Sequence, residues 1–252
     1  MSSTEFVLKA EGLCVGYDDR LVVHDLDLAV RGGEIIGLLG PNGAGKTTTL
    51  SALVGLRTIA GGTVRIAGAH IARESMQAKA ATAFVPDEPP LFDYMTVAEH
   101  LEFYARLYSV PRRGQAITVA LECGELVEYA DAYPETLSRG YRQRVALACA
   151  MVHEPRLLLL DEPLTGLDPA ALRATRLVLE THAANGAAVV LSSHQLQLVE
   201  QLCTRVVMML GGRLVFDGTV AGLRAFAADL DRIPESRTLE DGFLAIASAH
   251  AS

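Results

Sequence analysis

Residues 34–47 read EIIGLLGPNGAGKT. The run from Ile35 to Leu39 is almost wholly apolar, as expected of a central strand in a parallel sheet that is covered on both faces. The next eight residues, from Gly40 to Thr47, fit the pattern GxxxxGK[ST] in the context that it requires, after a strand and at the start of a helix. This stretch predicts a phosphate-binding loop in a domain of the α/β class.

The residue types in this loop suit the binding of a nucleoside triphosphate. Its glycines let the backbone wrap closely, so that N–H groups and a helix N-terminus point at phosphate oxygens. Lys46 adds a mobile cation near the terminal phosphates, and the Thr47 hydroxyl can ligate Mg²⁺. We expect ATP and Mg²⁺ as cofactors, held by Gly40, Pro41, Asn42, Gly43, Ala44, Gly45, Lys46, Thr47 and Thr48.

Strand patterns lie on both sides of the loop. Residues 6–17 and 21–30 predict two strands joined by a turn at Asp18-Asp19, and residues 63–68 predict another. Downstream, three apolar runs at 156–163, 187–194 and 205–210 alternate with helical patterns, which indicates a parallel sheet with helices on both faces.

Helical patterns fill the middle of the chain. Thr96 and Glu99 form a capping box before an apolar stripe, and Pro111 ends that helix. Residues 112–137 predict further helix with a break near Tyr133-Pro134. Another helix begins within LSRGYRQRVALACAMV and stops before Pro155.

Composition excludes some classes of function. The formal net charge of -8 argues against a nucleic-acid partner, because such partners select a basic surface. The N-terminus lacks the pattern of a secretory signal, and no run of about 18 apolar residues predicts a membrane span. We expect a cytoplasmic chain that is recruited to the membrane if it acts there.

A second acidic site follows a buried strand. Asp161 and Glu162 come directly after Leu157 to Leu160, beside the predicted phosphate loop. Asp161 is placed to hold Mg²⁺ through water, and Glu162 to polarise an attacking water as general base.

Further motifs arrive in the order typical of the ATP-binding cassette (ABC) ATPases, which the chain resembles over nearly its whole length. Leu137 to Tyr141 resembles the LSGGQ signature, Gly166 to Pro169 the loop after the glutamate, and Ser192 to His194 the switch-histidine loop. Tyr17 matches the aromatic that stacks on adenine. Asp87 stands where the family usually has a glutamine, near Mg²⁺.

The resemblance implies roles for these residues. Ser138, Gly140 and Tyr141 begin a helix whose N-terminus suits a γ-phosphate. In the family this helix serves the nucleotide held by a second chain, so we expect a head-to-tail dimer of two copies across two ATP sites. His194 is expected to contact the γ-phosphate, giving Glu162, His194 and Lys46 as the catalytic set.

Two positions depart from the signature. Arg139 replaces a glycine, which leaves two interpretations, a cation near the nucleotide of the partner copy or a solvated residue at the helix start, and we expect the second. Tyr141 replaces a glutamine. With Asp87 also unusual, the relay from ATP to a partner protein is open to question.

Three classes of protein are alternatives to a transporter motor. A small-molecule kinase or GTPase is disfavoured because the chain has no NKxD for guanine recognition, and because neither class needs the LSRGY element that this chain carries. A chromosome-maintenance ATPase is excluded because only about 50 residues separate Asp87 from Leu137, too few for its coiled coil. A soluble single-cassette ATPase of an assembly or regulatory system stays open.

The resemblance extends to bacterial type-2 and multidrug exporter ATPases. It rests on LSRGYRQR and on the C-terminal TLEDGFLAIAS. It implies that the chain powers export through a separate transmembrane permease subunit, as a peripheral protein on the cytoplasmic face. The loop from Phe84 to Tyr94 would receive that partner, with Phe92 and Tyr94 either contacting it or packing internally.

The predicted fold is a phosphate-loop NTPase (RecA-like) core with a parallel sheet, an N-terminal antiparallel β subdomain and an inserted α-helical subdomain. We expect a single ABC ATPase domain over residues 1–252. Its predicted parts are an antiparallel β subdomain at about 5–30 and 61–70, an α/β core at 31–60, 71–86 and 155–218, a helical subdomain at 88–150 and a C-terminal helical tail at 219–252.

Overall fold

The computed structural model describes residues 6–17 and 20–231, together with residues 240, 243 and 246. Its strands are β1 Phe6–Tyr17, β2 Arg20–Arg31, β3 Ile35–Leu39, β4 Ile59–Ile66, β5 Ala69–His70, β6 Thr82–Val85, β7 Leu157–Leu160, β8 Ala188–Ser192, β9 Arg205–Leu210 and β10 Arg213–Gly218. Its α-helices are α1 Lys46–Leu53, α2 Ser75–Ala80, α3 Val97–Leu107, α4 Arg113–Cys123, α5 Arg139–Met151, α6 Pro169–Ala184, α7 Leu196–Leu202 and α8 Val220–Asp231.

The larger sheet has six strands in the order β10-β9-β3-β8-β7-β6. All neighbours are parallel except β10, which runs antiparallel to β9. Every residue of β3, β7 and β8 is buried, which explains why these strands read as continuous apolar runs. Because parallel strands end at the same edge, the loops after β3, β7 and β8 meet there and build the candidate site.

The smaller sheet is antiparallel, in the order β2-β1-β4-β5. In β2, Leu26, Leu28 and Val30 are buried, so this predicted strand turns one face to the core. The N–H of His24 donates to the carbonyl of Gly212, which joins this sheet to the turn between β9 and β10.

A third apolar cluster lies among α3, α4 and α5 and includes Leu101, Leu126 and Val145, all fully buried. Helix α3 begins with the predicted capping box: the Thr96 hydroxyl accepts from the Glu99 N–H, and the Glu99 carboxylate accepts from the Thr96 N–H. These helices form the inserted helical part of the fold.

The fold-class prediction is confirmed, and its differences from the sequence patterns are local. Strand β4 begins at Ile59, before the predicted 63–68, and the segment between α4 and α5 contains two short 3₁₀ turns, Val127–Tyr129 and Pro134–Thr136. The predicted Asp18-Asp19 turn and most of the C-terminal TLEDGFLAIAS segment lie outside the described residues. Among the described helices, none has the length and apolarity to cross a membrane.

Candidate functional site

The phosphate loop connects β3 to α1, and glycine is required at two of its positions. A Cβ on Gly40 would lie 2.5 Å from the Met209 carbonyl oxygen, so any side chain there would displace β9. Gly45, the residue before α1, has φ +99, in the left-handed region that glycine favours. Between them Pro41, Asn42 and Gly43 are exposed, whereas Ala44 is buried.

Lys46 spans this loop with its side chain. Its Nζ donates to the carbonyls of Gly40 at 2.7 Å and Pro41 at 3.2 Å. Burial lowers the pKa of the Lys46 ammonium, while the negative charges of Glu162 and Asp161 act to raise it. A cation held beside two carboxylates and the loop backbone is ready to exchange its carbonyl partners for phosphate oxygens.

Thr47 and Asp161 meet at the end of the parallel sheet. The Thr47 hydroxyl donates to Asp161 Oδ2 at 2.7 Å, although the two residues are 114 positions apart. The buried Ser192 hydroxyl donates to the other oxygen, Asp161 Oδ1, at 2.5 Å. The Asp161 carboxylate is therefore fixed by one hydroxyl on each side, and Thr47 presents its oxygen toward the exposed face of the loop.

Glu162 follows at the start of the next loop and is oriented by His194. Its Oε2 accepts from His194 Nδ1 at 2.7 Å and lies 3.3 Å from the His194 backbone nitrogen, which also donates to it. The Glu162 N–H donates to Ser192 Oγ at 2.9 Å, so Ser192 contacts both acidic residues. Glu162 has φ +50, a sparsely populated conformation for a residue with a side chain.

Tyr17, at the end of β1, lies beside the phosphate-loop helix. Its hydroxyl is 3.4 Å from the Thr48 hydroxyl, and the Arg57 guanidinium carbon lies 4.1 Å from its ring centroid. One face of the exposed ring is thus covered by a cation, and Arg57 is a neighbour that the sequence patterns did not reveal.

The signature residues lie at the start of α5. Ser138 caps this helix by accepting from the Tyr141 N–H at 3.4 Å. The Tyr141 side chain packs on Tyr129 and under the Arg144 guanidinium, within its own helical region. Within the described part of the chain, no hydrogen bond or ion pair joins Ser138, Gly140 or Tyr141 to residues 40–48.

Arg139 is exposed at the start of α5, as expected, and it also forms an ion pair with Asp87 that the sequence did not predict. Arg139 Nη2 lies 2.7 Å from Asp87 Oδ1, and both side chains are about half exposed, at 48% and 47%. The structure therefore places Asp87 against the signature helix, while Thr47 and Asp161 meet without it. Its predicted metal role stays a prediction.

The arrangement brings Lys46, Thr47, Asp161, Glu162 and His194 into one connected network and leaves the signature residues outside it. No group of three or more His, Cys, Asp or Glu side chains that could hold a metal ion occurs among the described residues. Thr47 and Asp161 nevertheless fit Mg²⁺, since this ion is commonly held by one or two protein oxygens together with substrate phosphates and water. The sequence alone did not indicate that Ser192 positions other residues, because its partners Asp161 and Glu162 follow a different strand.

Comparison with known proteins identifies the family. A family model described as ABC transporter matches residues 23–165, more than half of the chain. The chain belongs to the ABC transporter family. The matched region carries the phosphate loop, the signature residues and the Asp161-Glu162 pair.

Relatives in this family cover most of the chain. Nod factor export ATP-binding protein I of Cupriavidus pinatubonensis is 39% identical over 80% of this chain and 63% of its own length. The namesake of Burkholderia orbicola is 36% identical over 92% of this chain and 78% of its own length. A human protein, ATP-binding cassette sub-family A member 2, is 38% identical over 86% of this chain, which corresponds to only 9% of its own length.

Solved structures agree with the family assignment. A structure of an ATP binding subunit of an ABC transporter superposes with a TM-score of 0.87 at 30% identity, covering 94% of this chain and 98% of that one. A dimeric post-hydrolysis state of an ATP-binding cassette, bound to ADP and Pi, superposes with a TM-score of 0.78 at 22% identity, over 84% of this chain and 98% of its own. Because the second structure is only 22% identical to this chain, the similarity shows the fold alone.

Proposed function

We propose that this chain is an ATP-hydrolysing subunit that dimerises on Mg-ATP and powers export through a separate membrane-spanning partner. The observation that carries the proposal is the Glu162–His194 contact beside the Thr47–Asp161 pair. This contact orients the Glu162 carboxylate, and it supports the proposal that Glu162 is the general base for phosphoryl transfer to water.

The residues suggest a division of labour in hydrolysis. Lys46 and the loop backbone hold the phosphates, and Thr47 and Asp161 would hold Mg²⁺, which neutralises charge on the phosphate oxygens. Glu162 accepts a proton from the attacking water. The water oxygen bonds to the γ-phosphorus, and the bond between the γ-phosphorus and the β–γ bridging oxygen breaks. The products are ADP and phosphate, with His194 keeping the Glu162 carboxylate in position.

The missing half of the site would come from a second copy. Ser138, Gly140 and the α5 N-terminus are set apart from the phosphate loop of their own chain, and we propose that they bind the γ-phosphate held by the partner copy. Two identical sites would then form in a head-to-tail dimer, with a base in each. ATP drives closure to the extent that it binds the closed dimer more tightly than the open chains.

Export through a permease is supported by the names of the relatives, which include Nod factor export ATP-binding proteins. The exposed aromatics Tyr94 and Phe92, which lie 93% and 47% exposed ahead of α3, are the proposed contacts for that partner. Phe92 also stacks on the His100 ring and meets the Phe103 ring edge to face, so it serves internal packing as well. The chain would work as a peripheral protein at the cytoplasmic face of the membrane.

Phosphate release by purified protein tests the catalytic proposal. Glu162→Gln keeps the size of the side chain but removes the base, so we expect turnover to fall about 10²- to 10⁴-fold while ATP binding and dimer formation persist. Glu122→Gln, an exposed carboxylate on α4, is the matched control and should turn over normally. Near-normal turnover in Glu162→Gln would remove this residue from the role of base.

Capture from membranes tests the partner. Tagged Glu162→Gln protein with Mg-ATP should recover a polytopic membrane protein in stoichiometric amount from detergent-solubilised native membranes. Lys46→Ala,Glu162→Gln, which lacks the phosphate-binding cation, is the control for ATP dependence. The recovered permease, reconstituted in vesicles with the wild-type chain, should stimulate phosphate release. Recovery of soluble proteins alone would favour the assembly or regulatory ATPase.

A further inference from the structure

The Arg139–Asp87 ion pair joins two segments that the proposed function assigns to different tasks. Asp87 lies in the loop after β6, and Arg139 is the first residue of α5, 52 positions later. The Arg139 Nη2 to Asp87 Oδ1 distance is 2.7 Å. This pair therefore connects the α/β core directly to the signature helix.

The surroundings of Arg139 leave Asp87 as its charged partner. Its Cδ lies 3.7 Å from the position that a Cβ on Gly166 would occupy, so the aliphatic stem rests on the loop after Glu162. The first turn of α5 contains no acidic residue to balance the guanidinium. A cation is also disfavoured at this end of a helix, where the macrodipole is positive.

The pair is built to exchange partners. Both side chains are about half exposed, and ion pairs in that environment contribute little to stability. A terminal phosphate offers more charge and more oxygens than one carboxylate, in a geometry that the planar guanidinium matches with two parallel hydrogen bonds. ADP has no γ-phosphate, so it places no phosphate oxygens at that position.

We propose that Arg139 is a γ-phosphate-binding residue that Asp87 holds in the open chain and releases to the ATP of the second copy when the dimer closes. The inference rests on the proposed head-to-tail dimer and assigns it a residue that distinguishes ATP from ADP. After phosphate leaves, Arg139 returns to Asp87, which favours reopening. Arg139 and Asp87, which both differ from the usual residues of the family, thus act together.

The test is the dimer dissociation constant in the hydrolysis-deficient Glu162→Gln background, measured by analytical ultracentrifugation with Mg-ATP and with Mg-ADP. Arg139→Gln should weaken the ATP-bound dimer about tenfold or more, because charge-assisted hydrogen bonds to phosphate are lost at two sites. Asp87→Asn should tighten it about two- to fivefold by removing the competing anion. The double variant should match Arg139→Gln, and Arg139→Lys should retain part of the affinity.

The outcomes separate the inference from the proposed function. Equal weakening by Asp87→Asn and Arg139→Gln would make the pair a structural strut and overturn the inference. An ATP-bound dimer unaffected by Arg139→Gln would overturn it as well, while the proposed dimer would stand. If the Glu162→Gln chain with Asp87 and Arg139 intact forms no dimer in ATP, the proposed function fails and the inference fails with it. Melting temperatures of the monomers check that each variant folds.

Discussion

The buried Ser192 hydroxyl contacts both acidic residues of the site, the side chain of Asp161 and the backbone of Glu162. It donates to Asp161 Oδ1 at 2.5 Å and accepts from the Glu162 N–H at 2.9 Å. A single hydroxyl can do both because it has one donor and two acceptor lone pairs. Strand β8 thereby fixes two residues that leave the end of β7.

Replacing this hydroxyl should affect both stability and turnover. Ser192→Ala leaves a buried carboxylate oxygen and a backbone N–H without their partner, which should cost about 1–3 kcal/mol of unfolding free energy. We expect turnover to fall about ten- to hundredfold, as is common when a group that orients a metal ligand is removed. Chemical denaturation and phosphate release measure the two effects.

Ser193→Ala is the matched control, because the Ser193 hydroxyl accepts only from the nearby Gln195 N–H in the described contacts. It should retain most of the turnover. If Ser192→Ala loses stability but keeps wild-type turnover, Thr47 and the backbone suffice to position Asp161 and Glu162.

Tyr17 gives a second prediction at this scale. With one face of its ring against Arg57, the ring can offer the other to adenine, and stacking of this kind contributes about 0.5–1.5 kcal/mol. Tyr17→Ala should therefore weaken ATP binding about two- to tenfold, whereas Tyr17→Phe should bind almost normally. Calorimetric titration with ATP and with inorganic triphosphate tests this. An equal loss for both ligands would show that Tyr17 shapes the loop and does not bind the base.

At the scale of elements, His153 connects the ends of two helices. It follows α5, and its ring stacks on Tyr108 after α3, with centroids 3.7 Å apart and an interplanar angle of 7°. Its ring nitrogens have no hydrogen-bond partner among the described residues. Burial lowers the pKa of His153 to about 4; the Thr82 backbone, close to the ring without making a hydrogen bond, opposes this shift.

This pKa predicts a loss of stability in mild acid. Below the ordinary pKa of 6.5 the unfolded chain takes up a proton on this histidine, whereas the folded chain does not until the pH approaches 4. The unfolding free energy therefore falls as the pH is lowered from about 6.5 toward 4. Burial lowers the pKa of His182 as well, so the two histidines act in the same direction.

His153→Phe isolates the contribution of His153. Phenylalanine keeps an aromatic ring against Tyr108 but cannot titrate, so urea unfolding should show a shallower dependence of stability on pH between 6.5 and 4. The slope that remains includes the effect of His182. An unchanged pH dependence in His153→Phe would contradict the assignment.

The sequence predicted elements best where one local signal decided them. The Thr96–Glu99 capping box and the apolar runs of β3 and β7 are such cases, because each depends on residues close in the chain. Contacts between strands and loops were not predictable in this way. Ser192 reads as an ordinary strand-end serine, and Arg139 as a solvated helix start, until the fold brings Asp161 and Asp87 to them.

At the scale of the whole molecule, no hydrogen bond or ion pair among the described residues joins Ser138 or Gly140 to the phosphate loop of the same chain, which agrees with a complete site built by two chains. A Cβ on Gly140 would meet Leu167 Cδ2 at 3.5 Å and the Gly166 oxygen at 3.8 Å, ordinary van der Waals distances. Gly140→Asp should therefore fold, and its carboxylate also suits a helix N-terminus. In the proposed dimer it would repel the γ-phosphate held by the partner copy.

Mixing two inactive variants tests the head-to-tail arrangement. Lys46→Ala removes the cation of the phosphate loop, and Gly140→Asp puts a negative charge in the signature. Each variant should therefore be nearly inactive alone. A mixed dimer contains one site with both lesions and one site with neither. With random pairing, half of the dimers are mixed and each has one intact site, so an equimolar mixture should recover about a quarter of wild-type phosphate release. Lys46→Ala mixed with Lys46→Ala,Gly140→Asp is the control and should recover none, because every phosphate loop in it is defective. Lack of recovery at any ratio, with mixed dimers demonstrated by a tag on one chain, would mean that the two motifs do not complement each other across chains.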